Sequence, residues 1–158
     1  MQVPLIWHQT GEADYASVKA AYETRRPEAI VDAFIDDMTA AYQWADVVIA
    51  RAGALTVSEL AVVGLASILI PYPYAVDDHQ YHNATILSVA GGAIIKREPS
   101  CTPDWLQQQL LSWSKERHVL RRMSEACEKA ASLHATSVVV ATCEHVVKKS
   151  KRKVFRSC

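Results

Sequence analysis

Asp46-Val47-Val48-Ile49-Ala50-Arg51-Ala52-Gly53-Ala54-Leu55-Thr56-Val57-Ser58-Glu59 reads as a strand, a tight turn and the opening of a helix. Its first five residues include a short apolar run rich in β-branched side chains, as a strand buried on both faces of a parallel sheet should have. Helical spacing takes over across residues 56–63, and Gly64 stands where a left-handed residue would close the helix. Gly53 lets the chain turn sharply between the two elements.

The same alternation extends in both directions. Further strand candidates fall at residues 3–8, 29–34, 66–70 and 93–96. Between the first two, Tyr15, Val18, Ala21 and Tyr22 recur at intervals of three and four, an apolar stripe on a helix of residues 14–24 that Arg25-Arg26-Pro27 ends. A short helix over residues 37–45 carries Met38, Ala41 and Tyr42 on one face, and another over residues 78–90 stops at Gly91-Gly92. After the last strand Pro103 opens a helix through Trp105, Leu106, Gln109, Leu110 and Trp113, and helical character continues over residues 116–148. Strands alternating with helices through short connections predict an α/β fold, a Rossmann-like doubly wound parallel sheet with helices on both faces and C-terminal helices over one edge.

With 158 residues, of which 50% are hydrophobic and 22% charged, the chain is long enough for one domain and too apolar for a disordered one. Such a domain buries roughly 70% of the surface of its unfolded chain and needs no disulfide or metal to fold. Lys plus Arg and Asp plus Glu are 17 each, and a formal charge of zero speaks against a nucleic-acid partner. The sum hides an asymmetry. Lys148, Lys149, Lys151, Arg152, Lys153 and Arg156 crowd the last eleven residues, so the preceding body has 11 positive against 17 negative charges. We therefore divide the chain into a domain of residues 1–147 and a basic tail of residues 148–158. A disordered, solvated end is the plainer reading of the tail, and attraction to an anionic membrane surface the alternative, at about 1 kcal/mol per charge.

Cys101, Cys127, Cys143 and Cys158 are widely spaced and form no CxxC pair, which reads as reduced cytosolic thiols. The N-terminal residues lack the basic and long apolar segments of a signal peptide, and no run approaches the roughly 18 apolar residues of a membrane span.

In a sheet of this kind ligands bind outside the carboxyl ends of the strands, so the loops after each strand are where a site is sought. Residues 51–59 put backbone amides at the positive end of a helix dipole, an arrangement suited to a phosphate, although the segment is neither GxGxxG nor a P-loop. Thr56-x-x-Glu59 is also a capping box, which would account for both residues without a ligand. A carboxylate one turn from a diphosphate site could instead hold ribose hydroxyls. Both readings stand on the residues alone. In residues 71–80, Pro71 and Pro73 stiffen a loop, and Asp77, Asp78, His79 and Gln80 offer either hydrogen bonds to a sugar or a helix cap. Asp36 or Asp37 reads as a cap after Phe34-Ile35, with no third ligand spaced for a metal. His8 is a base or a loop residue, while His82, His118, His134 and His145 sit in helical surroundings.

Taken in order, Trp7-His8-Gln9-Thr10-Gly11, Phe34-Ile35-Asp36-Asp37-Met38, the stretch of residues 45–59, and Pro71-Tyr72-Pro73 through Asp78-His79-Gln80 with Asn83-Ala84 resemble the MurG family of peptidoglycan N-acetylglucosaminyltransferases. The match covers residues 6–93, and the helical remainder is compatible to about residue 147. The resemblance implies the C-terminal, donor-binding half of a GT-B fold, belonging to an inverting enzyme that moves N-acetylglucosamine from UDP-N-acetylglucosamine to lipid I, giving lipid II at the cytoplasmic face of the bacterial inner membrane. It implies no metal and no cofactor, the departing diphosphate being stabilised by a helix dipole and backbone amides. Carried over by position, Phe34 and Ile35 would lie against the uracil, read by the Ile35 backbone. Gly53, Ala54, Leu55 and Thr56 would receive the diphosphate, Glu59 the ribose, and His79 and Gln80 the donor sugar. The family's acceptor domain, with the candidate catalytic base, and the first strand and Gly-rich loop of the donor domain would precede Trp7. The expectation is a chain holding most of a uridine pocket and inactive alone; the alternative is a stand-alone UDP-sugar-binding module without transfer activity.

Overall fold

A computed structural model describes residues 4–131. The chain runs β1 (Trp7–Gln9), α1 (Tyr15–Arg25), β2 (Ile30–Asp32), α2 (Met38–Trp44), β3 (Val48–Ala50), α3 (Ala54–Val63), β4 (Ser67–Leu69), α4 (His79–Ala90), β5 (Ala93–Ile95), α5 (Pro103–Lys115) and α6 (Arg117–Ala130), with single 3-10 turns at Val76–Asp78 and Glu98–Ser100. The expected strands all form and every pairing is parallel. Helical character predicted beyond residue 131, and the basic tail, lie outside the described residues.

The sheet differs from the expectation in one respect. Among the described residues it comprises two ladders, β1-β2 and β3-β4-β5, and no strand hydrogen-bonds across from one to the other. Each strand is only three residues long, so a ladder has few hydrogen bonds with which to recruit a neighbour.

The core sits on the three-stranded ladder. All of β4 is buried, and its alternating side chains feed two layers. Leu69 joins Leu60, Leu87 and Cys127 on one face, whereas Ile68 joins Trp113 and Met123 on the other. Helices α3 and α4 thus cover one face and α5 the other, with α6 contributing Cys127 to the first and Met123 to the second, the two-sided cover that parallel strands need. Gly64 closes α3 at φ 73, its amide bonding back to Leu60 and Ala61. Residues of α6 then reach the amino ends of the strands: Ser124 Oγ donates to the Gly64 carbonyl at 2.5 Å, and Cys127 Sγ lies 3.2 Å from the Leu65 carbonyl. With α6 across the amino ends, the carboxyl-end loops remain open.

Candidate functional site

The loop after β3 determines where α3 starts. Gly53 is extended (φ −62, ψ 146) and acts as N-cap, its carbonyl accepting from Val57 N at 3.0 Å. Ala54, Leu55 and Thr56 are therefore the first three helical residues, and their N–H groups precede the first i to i−4 donor, at the positive end of the dipole. Leu55 is exposed and Ala52 fully buried, so the turn is anchored from below and open above. Asn83 Nδ2, on α4, donates to the Ala52 carbonyl at 3.1 Å and fixes this turn against α4.

This start overturns the capping-box reading of Thr56 and Glu59. The helix begins three residues earlier than that pattern requires, with Gly53 and not Thr56 at the N-cap, and no side chain caps it. Thr56 is inside the first turn, and Glu59 is held instead by Tyr42, whose hydroxyl donates to Glu59 Oε2 at 2.8 Å. Burial, with the Glu59 carboxylate adding to it, pushes the Tyr42 phenol up to about 12. Tyr42 comes from α2 and had been read only as part of an apolar stripe. Its polar end acquires a role because folding brings it within hydrogen-bond reach of Glu59 on α3, which no pattern along the chain reveals.

Asp37 caps α2, its carboxylate accepting from Ala40 N at 2.9 Å, as the sequence suggested. Just ahead of it Ile35 is buried, and its amide donates to Gln9 Oε1, from the end of β1, at 3.0 Å. Phe34 is 67% exposed beside it. His8 faces Tyr22, with Nδ1 3.3 Å from the phenol oxygen.

The loop of residues 71–80 is braced at both ends. Gln80 Oε1 accepts from Tyr72 N at 2.9 Å, and His79 Nδ1 lies 2.8 Å from the Val76 carbonyl. Capping of α4 by Asp77 or Asp78, one of the two readings of this loop, does not occur, since neither side chain bonds the first-turn amides. The Asp78 carboxylate turns to Arg97 at the exit of β5, at 2.6 and 3.4 Å, which holds its carboxyl below the usual carboxylate range. Arg51 spans the next loops, donating to the carbonyls of Ile70 and Pro71 at 3.4 Å and pairing with Glu98 at 2.6 Å. Arg51 and Arg97 were not among the expected site residues, because each is defined by partners in other loops and elements.

The loops after β3, β4 and β5 thus form one cross-linked rim, with the α3 amides, Glu59, His79 and Gln80 upon it. A cavity of about 490 Å³ lies at the opposite end, among Asp46, Gly64, Arg117 and Arg121, where the Arg117–Asp46 pair spans 2.5 Å. None of the candidate residues lines it. Among the described residues no three His, Cys, Asp or Glu side chains gather as a metal site, and no helix is long and apolar enough to cross a membrane.

The model of the glycosyltransferase family 28 C-terminal domain matches residues 3–138. A UDP-N-acetylglucosamine--N-acetylmuramyl-(pentapeptide) pyrophosphoryl-undecaprenol N-acetylglucosamine transferase of Coxiella burnetii is 49% identical over 139 residues, covering 88% of this chain and 39% of that protein. The protein of the same description from Shewanella amazonensis is 48% identical over 150 residues, covering 94% and 42%. The crystal structure of Acinetobacter baumannii MurG superposes with a TM-score of 0.79 at 38% identity, over 92% of this chain and 42% of that one. The chain therefore spans about two fifths of the length of these relatives. Its fold is α/β and Rossmann-like, and the chain belongs to glycosyltransferase family 28, whose C-terminal domain it carries.

Proposed function

We propose that this chain is the donor-binding part of an inverting N-acetylglucosaminyltransferase and takes UDP-N-acetylglucosamine at the carboxyl end of β3-β4-β5. The observation that carries the reading is the start of α3 at Ala54, which leaves three amides aligned with the dipole where a diphosphate needs them. Gly53 keeps the approach free of a side chain, and Ala54, Leu55 and Thr56 supply the donors. As the bond to the sugar breaks, negative charge grows on the diphosphate, and preorganised amides stabilise it more than they do the intact donor. Glu59, one turn on and oriented by Tyr42, accepts from the ribose hydroxyls. The Ile35 backbone reads the uracil against Phe34, its amide exchanging Gln9 for the base. His79 and Gln80 take the sugar.

In this reading residues 1–147 form the donor unit. The acceptor, lipid I, together with the catalytic base and the transfer step, belongs to the remaining length of proteins such as the Coxiella relative. The whole enzyme works peripherally at the cytoplasmic face of the inner membrane, where its lipid acceptor lies.

Calorimetric titration of UDP-N-acetylglucosamine into the chain and into Glu59→Ala tests the assignment. Loss of charge-assisted hydrogen bonds to the ribose should weaken binding about tenfold or more. Equal affinities would leave Glu59 as no more than a partner for Tyr42.

A further inference from the structure

Among the described residues only two non-glycine residues have positive φ, and they are adjacent: Asp77 and Asp78, both at φ 51. Aspartate tolerates the left-handed region better than most residues, yet two in succession persist only where the surroundings hold them. They immediately precede His79 and Gln80. Neither helix capping nor burial holds them, since α4 has no side-chain cap and the Asp78 side chain is 41% exposed.

Beside the bonds of His79 to Val76, Gln80 to Tyr72 and the Asp78 amide to the Ala75 carbonyl, what holds them from outside the loop is Arg97. Its Nη2 and Nη1 meet the two Asp78 carboxylate oxygens at 2.6 and 3.4 Å, and its guanidinium carbon lies 4.5 Å from the centre of the Tyr81 ring. Asp78 and Tyr81 flank His79 and Gln80 on either side, so a single guanidinium grips the chain before and after both. The grip has a firm base, because the preceding residue is tied to the central strand by Lys96 N donating to the Leu69 carbonyl at 2.9 Å. A planar fork that pairs on its edge and stacks on its face can do both at once, which an ammonium group cannot.

We propose that Arg97 is a positioning residue for the sugar end of the donor site, fixing the left-handed turn at Asp77 and Asp78 from which His79 and Gln80 meet the hexosamine. The proposal rests on the assignment of His79 and Gln80 to the sugar made above. Arg97 acts through the turn and is assigned no part in the uridine and diphosphate sites, so its loss is read in the sugar's contribution alone.

The experiment compares UDP with UDP-N-acetylglucosamine, by calorimetry on the full chain, for the wild type, Arg97→Gln, Asp78→Asn, the double variant, Arg97→Lys, and a His79→Ala/Gln80→Ala variant. Thermal melting checks folding; both partners are exposed, so the variants should melt close to the wild type. For Arg97→Gln the affinity for UDP-N-acetylglucosamine should fall about fivefold through misplacement of the turn, while that for UDP stays within about twofold. Asp78→Asn should behave alike, the double variant should lose no more than either single one, and Arg97→Lys should recover only part. Equal weakening of both ligands would assign Arg97 a direct contact or a general structural role and overturn the proposal, as would strictly additive losses. If His79→Ala/Gln80→Ala changes the ratio of the two affinities and Arg97→Gln does not, the Arg97 proposal fails and the sugar assignment stands. If the wild type binds neither ligand, or both equally, both fail.

Discussion

The Tyr42–Glu59 bond joins a buried phenol to a carboxylate that the first turns of α3 carry toward the rim, and it imposes a pH dependence. A folded-state pKa above the unfolded value gives stability that is complete below the unfolded value and is lost as pH rises through the folded one. For Tyr42 the window runs from 10.0 to about 12. Cys127, raised by burial and then by Glu128, adds a window from 9.0 to about 11. Urea unfolding should therefore show stability falling steadily from about pH 9 upward. Tyr42→Phe should lower the stability near neutrality by about 1 kcal/mol, the worth of one hydrogen bond, and should flatten the decline above pH 10 to what Cys127 alone supplies. An unchanged alkaline profile would show that the phenol does not titrate with unfolding.

Turns between elements show where pattern reading reaches its limit. Gly53, Gly64 and Pro103 were placed correctly from sequence, because each acts through its own backbone. For Thr56 and Asp78 the sequence leaves cap and ligand roles both open, because a hydroxyl or carboxylate near a helix start has several possible partners and the choice among them is made by other elements. Gly92 is a case of such close approach between elements: a Cβ there would overlap Cys127 Sγ and lie 3.1 Å from Cys127 N, on the helix that crosses the amino ends. Gly92→Ala should destabilise the chain by about 1–3 kcal/mol, read as a lower urea midpoint at unchanged slope. A neutral effect would mean that α6 moves away without loss.

Across the whole molecule, packing is uneven. Every residue of β4 is buried, whereas α1 has no buried residue, and Leu5, Ile30 and Phe34 are exposed in the β1-β2 region. Local opening follows the density of buried contacts. Amide hydrogen exchange should show β1, α1 and β2 opening at a lower free energy than β4 and β5, with the two ladders as separate units. Uniform protection would instead make them one cooperative body. Strand and helix order, the helix-stopping glycines and the loops that carry the candidate residues were legible in the amino-acid order, since each depends on neighbours within a few residues. The partition into two ladders, the Tyr42–Glu59 bond and the Arg97–Asp78 pair were set by folding, as they join residues 17 and 19 apart in sequence or strands with no pattern to mark their partners. Hydrophobic periodicity specifies which face of an element is buried, but a polar group's partner is whatever donor or acceptor the packing of those faces brings within 3 Å.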